Sequence, residues 1–67
     1  MDYVRVDILN ANQLEVDDLI GFGDEVVKII SIHEEDIGFT AEIENDFGER
    51  DIVEIGDDEK FELFIWD

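Results

Sequence analysis

The 67-residue chain sets 21 Asp and Glu against four Lys and Arg, a formal charge of −17, and it has no Cys and no Pro. That length allows one domain with a thin core, since a chain of about 60 residues buries only roughly 60% of its unfolded surface. Disulfides and a Cys/His metal staple are excluded, and so is direct nucleic-acid binding with only Arg5, Lys28, Arg50 and Lys60 to offset the repulsion.

A highly charged chain poor in apolar residues would be disordered, but this one is 45% hydrophobic and rich in Ile, Val and Phe, so it is predicted to fold. Tyr3 to Leu9 alternates as a strand, with Val4, Val6 and Ile8 on the predicted core face and Tyr3, Arg5, Asp7 and Leu9 on the other. Asn10 to Gln13 reads as a turn. Leu14 to Ile20 then leads to a second turn at Gly21-Phe22-Gly23-Asp24.

Glu25 to Ile32 carries apolar residues on both parities, as in a central strand that bends or is covered on both faces. After the acidic turn His33 to Asp36 and Gly38, Phe39 to Glu44 alternates with Phe39, Ala41 and Ile43 inward. Asn45-Asp46-Phe47-Gly48 is the strongest hairpin signal, and the return strand Glu49 to Ile55 slips parity at Ile52, which predicts a bulge. A final turn at Gly56 to Glu59 precedes Lys60 to Trp66, with Phe61, Leu63 and Ile65 on one face and Glu62, Phe64 and Trp66 on the other. No stretch sustains a helical apolar period. The fold class is therefore all-β: a small SH3-like barrel of five or six short antiparallel strands, closed or half-closed.

Asn12 to Ile20, a Gly-containing turn and the Val/Ile-rich run Glu25 to Ile32 resemble the opening of SH3-like barrels of the KOW and elongation-factor-P type, which carry an L-x-x-G-D-x-I element before a tight hairpin. The resemblance spans about 20 residues, and Asp17 stands where those domains have Gly. It implies a small barrel whose first and last strands pair. Their RNA-contacting surfaces are basic, so that function does not transfer. In size and charge, though in no motif, the chain is similar to small acidic phage-encoded proteins that imitate DNA to inhibit restriction enzymes, uracil-DNA glycosylase or nucleoid proteins.

Two features point to function. Carboxylates occur on strands, at Asp7, Glu42, Glu44, Glu54 and Glu62, where i, i+2 positions lie about 6.6–6.8 Å apart, of the order of successive phosphates on one strand. The turns add Asp17-Asp18, Glu34-Glu35-Asp36 and Asp57-Asp58-Glu59. Such an array would compete for the surface with which a basic protein neutralises DNA or RNA. Separately, Tyr3, Phe64 and Trp66 fall opposite the predicted core and would form one outward aromatic patch, either a cover for the barrel end, a homodimer interface or an anchor for the partner.

No segment matches a calcium-binding loop, and His33 stands alone, with no Cys or Ser in a nucleophile context and only Ser31 nearby on the same strand face. No metal, cofactor or enzymatic activity is predicted. The residues after Met1 show neither a basic n-region nor a continuous apolar run, so no signal peptide or membrane span is predicted either, and the absence of Cys suits the cytoplasm. The expected function is that of an acidic DNA mimic that binds and inhibits or sequesters a basic nucleic-acid-binding protein. The alternatives are a self-associating virion or assembly module whose acidity serves solubility, and an ordinary small barrel adapted to high salt.

Overall fold

The computed structural model describes residues 2–67. Short apolar runs separated by Gly, Asn and Asp form six strands: β1 (Tyr3–Asn10), β2 (Leu19–Phe22), β3 (Glu25–Glu34), β4 (Phe39–Glu44), β5 (Arg50–Ile55) and β6 (Lys60–Trp66), with one 3-10 turn at Ala11–Gln13. They make a single antiparallel sheet in the order β1-β6-β2-β3-β4-β5, so the last strand lies between the first and the second. The hydrogen-bonded ladder ends at β1 and β5. The sheet therefore has two free edges rather than a closed circuit.

Strong coiling makes up for the missing closure. The Tyr3 hydroxyl, on β1, donates to the carboxylate of Asp46 in the β4–β5 turn, although β6, β2 and β3 intervene and a flat sheet would separate β1 from β4 by about 19 Å. Coiling is also supported by two bulges, one in β1 between Arg5 and Asp7 and one in β3 between Ile29 and Ser31. The β3 bulge places Ile30 as the extra residue, which accounts for the mixed apolar parity of that strand. The bulge expected in the return strand is absent: β5 pairs with β4 in continuous register from Arg50 to Ile55, and Ile52 simply faces outward, 68% exposed.

The buried core comprises Ala11, Leu14, Ile20, Val27, Ile29, Ala41, Ile43, Ile55 and Phe61, with Leu9, Phe22, Phe39, Val53 and Leu63 packed against it. β1 gives it no fully buried residue. Val6 is the bulged residue, so the parity read from sequence holds only on one side of it. Val4 pairs with Ile65 on the core-facing parity, whereas Ile8 pairs with Glu62 on the opposite face, and Leu9, expected outside, pairs with Phe61 and packs on the core. Val4, Val6 and Ile8 are all exposed.

Two glycines stand at close approaches, and one of them is required. At Gly38, with φ of 82°, an added Cβ would sit 2.3 Å from the Ile55 carbonyl oxygen, so only Gly lets the β3–β4 turn rest on the end of β5. Gly21 instead leaves room for the Phe64 ring, whose Cε2 would lie 3.2 Å from a Cβ there. Asp17 takes the left-handed conformation with φ of 76°. Asp is among the few residues that tolerate it. The turn is fixed around it by backbone bonds, Asp17 N–H to the Ile29 carbonyl at 2.8 Å and Ile29 N–H to the Asp18 carbonyl at 2.9 Å.

Candidate protein-binding surface

Pairing across the sheet decides which carboxylates share a face, because directly opposed residues of an antiparallel pair project to the same side. One row runs Arg5, Phe64, Leu19, Lys28, Glu44, Arg50 across all six strands on the face away from the core. Three of the four basic residues lie in that row, and each takes a carboxylate: Arg5 Nη1 to Glu62 Oε2 at 3.2 Å, Lys28 Nζ to Asp17 Oδ1 at 3.7 Å, and Arg50 Nε to Glu44 Oε2 at 3.0 Å. Glu44, assisted by Glu42, raises the Arg50 guanidinium above its ordinary pKa by hydrogen bond and charge. The pairs are exposed and serve to fix side-chain positions more than to stabilise the fold.

The strand carboxylates predicted as one array therefore divide into three groups. Glu42 and Glu44 project from β4 on the outer face. Glu54 on β5 joins them, because it pairs with Thr40, two residues before Glu42, and so stands diagonally from Glu42 at about 7–8 Å. Glu62 lies apart on β6, engaged with Arg5. Asp7 lies on the core-facing parity just past the β1 bulge, opposite Leu63 rather than beside Tyr3 and Arg5, and accepts the Ile8 N–H at 2.8 Å.

Turn carboxylates divide differently, since several hold the turns that carry them. Asp18 accepts the Glu15 N–H at 2.9 Å, Asp57 accepts the Gly38 N–H at 3.0 Å, and Glu59 accepts the Gly56 N–H at 2.6 Å. The bond from Gly38 to Asp57 ties the β3–β4 turn to the β5–β6 turn. Glu34, Glu35 and Asp36 are exposed at that junction, and Glu35 and Glu54 border one shallow depression with Ile37, Phe39, Thr40 and Gly56. Glu42 and Glu54 on the outer face, and Glu35 across the depression from Glu54, thus lie on the β4–β5 side of the molecule, beside Glu44, which Arg50 engages. Among the described residues only three of the 21 carboxylates meet a basic group.

Tyr3, Phe64 and Trp66 share a face, as expected from the pairing of the first and last strands. Tyr3 pairs directly with Trp66, and their rings meet edge to face with centroids 4.7 Å apart. Phe64 is half-buried over Gly21, and Trp66 is the more exposed ring. The bond to Asp46 and its charge raise the Tyr3 phenol above its ordinary pKa. The aromatic group therefore covers one end of the sheet and leaves the Trp66 indole available.

Sequence parity missed one feature that both edges share. On β5 the Ile52 N–H donates to the Asp51 carboxylate at 2.9 Å, as the Ile8 N–H does to Asp7 on β1. The sequence has three Asp-Ile dipeptides, at Asp7, Asp36 and Asp51, and only the two that fall on edge strands make this bond. No group of three or more His, Cys, Asp or Glu among the described residues is arranged to hold a metal ion, and no helix is long and apolar enough to cross a membrane. The chain matches no protein-family model, no curated protein and no solved structure.

Proposed function

We propose that this chain is a non-enzymatic binding protein that occupies the nucleic-acid-binding surface of a basic protein, presenting carboxylates where DNA or RNA would present phosphates. The observation that carries the proposal is the outward pair Glu42 and Glu54, set diagonally across β4 and β5 with neither engaged by a basic group among the described residues, beside Glu44, which Arg50 holds, and with Glu35 bordering the same depression as Glu54. A rigid array loses little order on docking, whereas carboxylates on mobile loops would lose more. Pairing of the first and last strands supports the likeness to SH3-like barrels. The absence of Cys suits action in the cytoplasm, the bacterial host's if the chain is encoded by a phage.

Competition tests this reading. A basic nucleic-acid-binding protein captured at low salt should release DNA when the acidic protein is added, and the complex should weaken steeply with salt, because charge contacts dominate both. Replacing Glu42 and Glu54 by Gln should cost about tenfold or more in affinity, and replacing Glu62 and Asp58 by Gln and Asn much less. Both pairs remove two charges, so only position differs. Simultaneous binding of DNA and this protein to the partner would eliminate mimicry.

A second reading, a self-associating structural module, draws on the exposure of Trp66 beside Tyr3. Trp66→Ser should then halve the mass seen by light scattering at concentrations where the native protein is dimeric.

A further inference from the structure

The two free edges are not equivalent. β1 is closed by three devices: the bulge at Val6, Asp7 over the Ile8 N–H, and the Gln13 side chain, whose Oε1 accepts the Asn10 N–H at 2.8 Å. Bulges and inward charges on an edge are the usual means of refusing another strand. β5 has no bulge and a single cap, that of Asp51 on Ile52. Because the Ile52 N–H reaches a side chain at the edge, alternation turns the backbone groups of Arg50, Ile52 and Glu54 away from β4 and toward solvent.

Beside this edge lies a cavity of about 290 Å³ with Phe22, Val27, Ile43 and Val53 at its apolar floor. Its rim carries Glu25, Glu49 and Asp51, and the bordering Arg50 is already held by Glu44. An apolar floor under an anionic rim suits a side chain with an aliphatic stem and a cationic head, which is Lys or Arg. On the opposite face the edge shows Ile52, flanked by Glu42 and Glu54.

We propose that β5 is a docking edge for an extended basic segment of the partner protein, which adds to the sheet as a seventh strand and inserts a Lys or Arg side chain into the cavity beside Val53. Backbone pairing would supply affinity and the alternating pockets specificity, as in other strand additions. The proposal rests on the reading of a basic protein partner and specifies the form in which that partner binds.

The test uses a synthetic peptide of alternating valine and lysine, long enough to pair with the six residues of β5, and the same peptide N-methylated on alternate backbone nitrogens. Charge is equal in both, but the methylated one cannot complete a ladder. The unmodified peptide should bind about tenfold or more tightly and should slow amide exchange at Ile52 and Glu54. Ile52→Pro removes an N–H outside the β4 ladder and should abolish that preference, while Ile8→Pro on β1 should leave it intact.

Equal affinity for the two peptides, or unchanged exchange at Ile52 and Glu54, would overturn the docking edge. The peptide comparison uses the native protein and so does not depend on either variant folding. Equal, salt-sensitive binding of both peptides would remove the edge site while leaving a diffuse acidic surface for a basic partner. Failure of mimicry itself is read separately, from DNA competition.

Discussion

The β3–β4–β5 half of the sheet and the β1–β6 ribbon differ in what their apolar residues do. The first supplies Val27, Ile29, Ala41, Ile43 and Ile55 to the buried core. The second leaves Val4, Val6, Ile8, Ile65 and Trp66 exposed and gives the buried core Phe61 alone, with Leu9 and Leu63 packed against it. In sequence the ribbon alternates cleanly, yet the half that contains the mixed-parity strand β3 supplies more of the core. Alternation says that a strand has two unlike faces; it does not say whether another layer will cover either of them. A bulge then decides which residues past it change sides.

Substitutions in the two regions should separate them most. Ile29→Ala removes a fully buried side chain from the centre of the first half and should cost about 2–5 kcal/mol, enough to unfold much of a domain this small. Val6→Ser, at the β1 bulge, should change stability by no more than about 0.5 kcal/mol. Thermal melts of the two variants measure the contrast, and a comparable loss at Val6 would mean that the ribbon is covered, for example by a second copy.

A smaller effect is expected at Asp17, in the segment leading from the ribbon to β2. Its positive φ is strained for any residue with a Cβ, so Asp17→Gly should stabilise the fold by about 0.5–1 kcal/mol despite losing the exposed pair with Lys28. Chemical denaturation reads this directly. A destabilised variant would show that the Lys28 pair outweighs the relief of strain.

The smallest effect concerns the side-chain hydrogen bond that, among the described residues, joins the two regions, from Tyr3 to Asp46. The bond needs a protonated phenol, and the Tyr3 pKa is raised above its ordinary value first by that bond, then by desolvation and the Asp46 charge. The stabilising contribution is therefore complete below the unfolded pKa and is lost as pH rises through the higher folded value. Tyr3→Phe should show no such loss on the alkaline side, and phenolate absorbance should place the native Tyr3 titration above that of the unfolded chain. Matching titrations would mean that the contact is not maintained in solution.

Local chemistry in the sequence was enough to determine the all-β class, the bounds of β4 and β6, the hairpin at Asn45 to Gly48 and the aromatic group of Tyr3, Phe64 and Trp66. β-branched runs, turn residues and a period of two act over a few neighbours. The strand carboxylates were legible as residues but not as an array, because cross-strand register sets Glu54 diagonal to Glu42, brings Arg5 within reach of Glu62, and puts Asp7 on another face. Register also decided that Leu9 packs inward and that β5 continues without a bulge. Edge position, which gives Asp7-Ile8 and Asp51-Ile52 their role, follows only from the strand order. These are consequences of pairing between residues far apart in the chain, where one shifted residue reverses every face beyond it.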